Sequence, residues 1–442
     1  MSILFVFLLF SVFMVVLFSG YPVAFVLGGV GVLFAIVGQI CTNFGYYDVA
    51  ELRTIGFVAN RVFATLANYS LIPMSMFIFM GFMLERSGVA ERLIIAMRNL
   101  LGKTPGGLAI AVVLIGVILA ASTGIIGASV ILLSAIALPT MSKAGYSPSL
   151  SAGTVGATGC LGILVPPSIM LVVMGDQLRI PVGDLFIGAI IPGLLLATCF
   201  VLFLFLYALY KPELMPKLAD DERVPGIHYA EIIKALIAPL LLVGVVLGTI
   251  VAGIASPTEA SGIGAAGATL LAWFAKQLTW KDVQEVCYRT GRSVATLYAL
   301  MFGAACFSVV LRGYGGDDVI AEALHSIPLP PHGVLLLVIF IVFLLGFFLD
   351  WMEIVLIIAP LVMPVLVDFG FSPVWVAILI ALCLQTSFLT PPVGMALFYI
   401  RNAAGHLAMK EIYQGAIPFV LLQLLTLVIV LMCPILVTEF IH

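Results

Sequence analysis

The sequence predicts an all-α polytopic membrane protein built from two inverted-topology repeats, with about ten spans and two re-entrant hairpins. Three observations predict it. The 442 residues are 63% apolar and only 9% charged, where soluble domains carry roughly 25% charge, and the mean hydropathy is +1.25. Apolar stretches of the length a bilayer demands, about 20 residues each, follow one another along the chain. One segment, from Gly159 to Ile169 around Pro166-Pro167, returns as Leu384 to Gly394 around Pro391-Pro392.

The elements follow in order. Spans are expected near 1–19 and 22–40, joined at Gly20-Tyr21-Pro22. The first 18 residues lack a basic leader and a small-residue cleavage site, so they read as a retained span. Residues 46–66 mix Asp48, Glu51, Arg53 and Arg61 with apolar positions, which suits an interfacial helix. A span near 69–86 leads to a basic stretch ending at Pro105-Gly106-Gly107. Residues 107–142 hold two apolar arms around a small, hydroxylic centre, Ala121 to Ser129. Each arm is too short to span, so the segment reads as a re-entrant hairpin. A broken helix over 149–178 and a span over 184–210 complete the first half.

Residues 211–230, with Pro212, Pro216, Pro225 and Asp220-Asp221-Glu222, separate the halves, 1–225 and 226–442. The second half repeats the order. Spans near 231–253 and 257–275 precede an amphipathic stretch at 279–292 and a span at 293–312. A polar loop then leads to a hairpin over 332–367, a broken helix over 373–404 and a span over 411–438. Pro139, Gly145, Ser147, Pro148, Leu164, Pro166, Pro167 and Met170 meet identical residues 225 positions later. Five crossings separate equivalent points, an odd number, so the repeats are expected to be inverted across the membrane. Charge agrees: this topology puts 15 of the 19 Lys and Arg residues on the cytoplasmic side, leaving Arg53, Arg61, Arg179 and Arg312 outside. Both termini are then extracytoplasmic.

The prolines carry the chemistry. A proline inside a helix removes an N–H and clashes with the carbonyl four residues back. Freed backbone at membrane depth is tolerated only where protein encloses it or a cavity is lined by it. Paired broken helices mark a transporter's binding site. Half-helix N-termini attract carboxylates, and free carbonyls and hydroxyls suit a hard cation such as sodium. One sodium site is expected per half. The first pairs Ser122, Thr123 and Gly124 with Thr158, Gly159 and Gly162; the second pairs Asp350 with Gln385, Thr386, Ser387 and Thr390. An organic anion is expected between the hairpin tips, near Ser122, Thr123, Pro166, Ser168, Asp350 and Thr390, with Arg401 either steering it or anchoring the helix. Small and hydroxylic residues also serve close helix packing, the competing explanation for any one of them. Glu353 is expected to support the Asp350 turn, and Asp176 and Glu259 to cap or end helices.

Other classes find no support. The five histidines pair with no ligand at metal spacing, the seven cysteines form no CxxC, and no phosphate loop or nucleophile elbow occurs. The charges form no basic face for nucleic acid. An enzyme is therefore not expected, and neither is a cofactor beyond sodium as coupling ion.

AASTGIIGASV (120–130), KAGYSP (143–148), GILVPPSIMLV (162–172), GDLFIGAIIPG (183–193), FLDWMEIVLI (348–357) and LQTSFLTPPVGMALFY (384–399) resemble the large membrane subunit of a TRAP (tripartite ATP-independent periplasmic) transporter. The form with GDQLRIPVGDLFIGA at 175–189 is most similar to the mannitol/chloroaromatic-labelled subgroup. The resemblance implies an elevator-type fold like that of the ion transporter superfamily. Its transport domain would lie at about 105–210 and 332–438, against a scaffold at about 1–66 and 231–292. It also implies sodium-driven import of an organic anion, usually a carboxylate, across a bacterial or archaeal inner membrane. The implied partners are a small four-helix membrane subunit, expected as a separate chain, and a periplasmic substrate-binding protein. The first hairpin tip departs from the acidic, serine-rich variant of many members. A stand-alone carrier of the same architecture, needing no binding protein, is the alternative.

Overall fold

A computed structural model describes residues 2–45, 50–88, 92–93, 101–102, 104–123, 126–217, 229–275, 278–405 and 407–441. The described residues are helical throughout, with no strand among them. The helices are α1 (Ser2–Leu17), α2 (Val23–Asn43), α3 (Gly56–Leu66), α4 (Ile72–Arg86), α5 (Gly107–Thr123), α6 (Ile126–Lys143), α7 (Pro148–Cys160), α8 (Ile169–Leu178), α9 (Val182–Tyr210) and α10 (Tyr229–Val251). After these come α11 (Pro257–Phe274), α12 (Trp280–Gly313), α13 (Gly316–Ser326), α14 (Pro331–Leu345), α15 (Trp351–Asp368), α16 (Pro373–Leu389), α17 (Met395–Ala403), α18 (Met409–Met432) and α19 (Ile435–Thr438).

Proline and glycine punctuate them. Proline is tolerated in a helix's first turn because its missing N–H would be unpaired there anyway. Pro148, Pro257 and Pro373 open α7, α11 and α16. Gly145 and Gly370, at φ +75° and +88°, turn the chain ahead of α7 and α16 in a conformation that side chains with a Cβ resist. Ser256 and Glu259 form a reciprocal capping box at the start of α11, so Glu259 is a cap. Asp176, near the end of α8, accepts from Gln177 Nε2 at 2.8 Å.

Among the described residues, α2, α6, α9, α12, α15 and α18 are long and apolar enough to cross a membrane. Shorter apolar helices, α8, α14 and α16 among them, sit at the expected hairpins and breaks. Helix limits follow the spacing of the residue identities: α6 (Ile126–Lys143) and α15 (Trp351–Asp368) are the same segment displaced by 225 residues, as are the starts of α7 and α16. Two features differ from the sequence reading. The amphipathic stretch at 279–292 and the span after it form one continuous 34-residue helix, α12, because nothing stronger than Gly291 interrupts them. The polar loop expected after residue 312 contains α13, whose acidic first turn, Asp317 and Asp318, complements the helix dipole.

The chain divides into two compact units. One comprises residues 1–69, 291–341 and 349–373. There α2 and α12 approach closely: a Cβ at Gly303 would overlap the Ala24 carbonyl, and one at Gly31 would sit 3.0 Å from Cys306 Sγ. Tyr314 donates to the Phe34 carbonyl at 2.7 Å and stacks on Phe5. The other unit comprises 70–290, 342–348 and 374–442. It holds both Pro-Pro segments, and its centre is α7, packed by α5, α6, α17 and α18. Every residue of α7 from Leu150 to Cys160 is buried.

Candidate functional site

Both breaks follow from backbone arithmetic. Helical carbonyls accept from the N–H four residues on. With proline at 166, 167, 391 and 392, the carbonyls of Gly162, Ile163, Ser387 and Phe388 lose those donors. After α7 the chain tightens into a 3₁₀ turn over Leu161–Ile163, and α8 restarts at Ile169 behind an extended Ser168. Buried Ser168 turns its hydroxyl back to the orphaned Ile163 carbonyl at 2.7 Å, so its role is to close the first break. The second break has no such repair, since Val393 stands where Ser168 stands in the first. There the Ser387 carbonyl receives the Thr390 N–H at 3.2 Å, while Phe388 has neither a helical donor nor a matching hydroxyl. Both Pro-Pro peptide bonds are cis.

The predicted residues divide into three groups. Thr158, Gly159 and Gly162 are buried at the first break. A Cβ at Gly159 would overlap Val130 of α6, so this glycine serves close approach between α6 and α7. Gln385, Thr386 and Ser387 are fully buried in the last turns of α16, and Thr390 follows them. The hydroxyls of Thr386, Ser387 and Thr390 donate to the carbonyls of Leu382, Leu384 and Thr386, leaving oxygen lone pairs to face a ligand. Gly346, at the end of the first arm of the second hairpin, lies so close to Ser387 that a Cβ would overlap its hydroxyl. The first hairpin tip is the third group. Ser122 and Thr123 end α5, but their side chains, with Gly124 entirely, lie outside the described residues.

Asp350 and Glu353 belong to the other unit. Asp350 caps α15, accepting from the Trp351 N–H at 2.8 Å, and Glu353 is buried with Oε2 lacking a partner among the described residues. A single π-helical turn follows at Ile354–Ile358; such turns recur at functional sites. Arg401 donates to the carbonyls of Gly405 and Leu407, clamping the turn between α17 and α18, which supports the anchoring reading.

Three buried side chains escaped the sequence reading. Gln423 of α18 is 1% exposed, and both of its amide atoms lack partners. The same is true of the Ser134 hydroxyl on α6. Thr426 donates to the Leu422 carbonyl at 2.9 Å. A lone glutamine in an apolar span has no pattern to announce it. Unpartnered buried polar groups cost about 1–3 kcal/mol each, and in this unit the Thr158 hydroxyl and both amide atoms of Gln385 share that state. No cluster of three or more His, Cys, Asp or Glu suited to a metal occurs among the described residues.

The family model described as "Tripartite ATP-independent periplasmic transporter, DctM component" matches residues 10–436. The chain belongs to the DctM family. Relatives include the C4-dicarboxylate TRAP transporter large permease protein DctM of Pseudomonas aeruginosa, 31% identical over 85% of this chain and 87% of that one. The ectoine large permease TeaC of Halomonas elongata is 29% identical over 83% and 84%. The sialic acid large permease SiaM of Vibrio cholerae is 26% identical over 95% and 94%. Among solved structures, the YdaH transporter of Alcanivorax borkumensis aligns over 98% of both chains with a TM-score of 0.62 at 17% identity, a likeness of fold. As a DctM-family protein the chain is a multi-pass transmembrane transporter permease and not an enzyme.

Proposed function

We propose that the protein is the large membrane subunit of a sodium-coupled TRAP transporter that imports an organic anion delivered by a periplasmic binding protein. The observation that carries this reading is the pair of Pro-Pro breaks, which leave carbonyls without helical donors inside a buried unit of a DctM-family chain. Sodium takes oxygen ligands, and these breaks present carbonyls and hydroxyls: Thr158 with Gly162 at the first, Gln385, Thr386, Ser387 and Thr390 at the second. Ser122, Thr123, Gly124 and Asp350 at the hairpin tips are further ligand candidates. The α8 N-terminus behind Ser168 and the α17 N-terminus behind Gly394 supply the partial positive charge that a carboxylate seeks.

The relatives named for C4-dicarboxylates, sialic acid and ectoine share a carboxylate, which supports an organic acid as substrate. The isethionate permease DctMQ of Oleidesulfovibrio alaskensis aligns with 92% of this chain and 65% of its own length. Its remainder leaves room for the small membrane subunit that we propose as this chain's partner. Cation and substrate binding would each favour the closed state of two inverted repeats moving as an elevator, and so shift a two-state equilibrium.

The test is uptake into proteoliposomes containing this chain and its small subunit, with and without a periplasmic binding protein. Uptake should require the binding protein. Equal uptake without it would assign the chain to the stand-alone carriers.

A further inference from the structure

Thr158, Gln385 and Gln423 sit on three different helices of the same unit, and contacts among those helices fix their relative heights. Gly188 of α9 faces both Val374, at the start of α16, and Val437 of α19; its Cβ would lie 3.2 and 3.0 Å from them. Farther along α9, Gly193 faces Val165 at the first break, and Phe200 and Phe203 pack on Phe419 of α18 at 5.2 and 5.4 Å. Helices α9 and α18 are therefore antiparallel. Trp375 Nε1 donates to the Val430 carbonyl at 3.0 Å, and Leu389 meets Gly156 of α7, so α16 also runs antiparallel to α18. Gly153 of α7 abuts Gly415, and α7 climbs from there toward the break in step with α18.

At a rise of about 1.5 Å per residue, Gln385 stands one turn above Leu389, Gln423 one turn above Phe419, and Thr158 half a turn above Gly156. "Above" is in each case toward the first break. The three fall in one layer about a helical turn thick, between the two breaks. All three are buried to 1% exposure or less, and none has a hydrogen-bond partner among the described residues. The residues of α18 that share the buried face with Gln423 are Ile412, Ala416, Phe419 and Thr426.

We propose that Gln423 is a ligand of a buried monovalent-cation site, its carboxamide oxygen completing with Thr158 Oγ1 and Gln385 Oε1 a set of neutral oxygens between the two breaks. The carbonyls that Pro166 and Pro392 deprive of donors, Gly162 and Phe388, border the same layer and tip its balance toward acceptors, which selects a cation. The inference rests on the reading of the chain as a sodium-coupled transporter. It adds a ligand from α18, which belongs to neither a hairpin nor a broken helix.

The purified full-length chain with its small subunit is melted in sodium chloride and in choline chloride, and sodium half-saturation is read from the melting temperature and from uptake. Wild type should gain stability with sodium, as any ligand bound to the folded state confers. Gln423→Met, close in volume, should raise the half-saturation concentration at least tenfold, and Gln423→Glu, which keeps an oxygen there, should retain a sodium response. An unchanged half-saturation in Gln423→Met would overturn the proposal and leave the amide to ordered water. If Gln423→Met melts early in choline, Gln423→Glu decides alone: loss of its sodium response also overturns the proposal. Uptake that requires sodium while the wild-type melting temperature ignores it would sink this site and spare the transport reading; uptake indifferent to sodium would sink both.

Discussion

At the scale of single residues, the two breaks are not equal. Ser168 repairs the first by donating to Ile163, whereas the matching Phe388 carbonyl has Pro392 and Val393 where donors would stand. Ser168→Ala leaves a buried carbonyl unpaired and should cost about 1–3 kcal/mol, read as a lower melting temperature in detergent with sodium half-saturation unchanged. Thr386→Ala removes a hydroxyl whose proton is already committed to Leu382 and whose oxygen is the proposed ligand. It should weaken sodium dependence of uptake several-fold with little loss of stability; unchanged sodium dependence would remove Thr386 from the site. Residue types at the prolines were legible because proline's missing N–H acts on any helix. Gln423 and Ser134 were not, because one polar side chain in an apolar span reads the same whether it faces lipid, protein or a ligand.

At the scale of elements, the sequence placed α7, α8, α16 and α17 within a few residues, because glycine and proline mark their ends. It missed α13, whose charges suggested a loop although its first turn is well suited to a helix N-terminus. It also split α12, whose change from amphipathic to apolar along one helix leaves no trace in backbone preference. The proposed site depends on the breaks staying open. Replacing both Pro391 and Pro392 with alanine returns donors to Ser387 and Phe388 and lets α16 continue. Uptake should be lost while the melting temperature holds or rises, and retained uptake would show that the open backbone binds nothing. At the polar end of α4, Arg86 pairs with Asp282, which also accepts from the Thr279 N–H and hydroxyl, while Arg289 pairs with Glu85 and lies 4.3 Å from the Phe82 ring centre. Asp282→Ala removes a cap and an ion-pair partner together and should lower the melting temperature more than Arg86→Ala does.

At the scale of the whole molecule, helix class and family were legible from hydropathy and motif, and the 225-residue displacement recurs in the helix limits of α6 and α15. Orientation in the membrane is a matter of charge. The proposed topology places Lys217 in the cytoplasm. A lone cysteine at position 217, in a chain freed of its other cysteines, should react with an impermeant thiol reagent only after the membrane is opened; labelling from outside would reverse the topology. The central claim, that cation binding at the breaks drives import, is tested most directly by an imposed gradient. With small subunit and binding protein present, the reconstituted transporter should accumulate its organic acid above equilibrium under an inward sodium gradient and only equilibrate when choline replaces sodium. Full accumulation in choline would contradict the account.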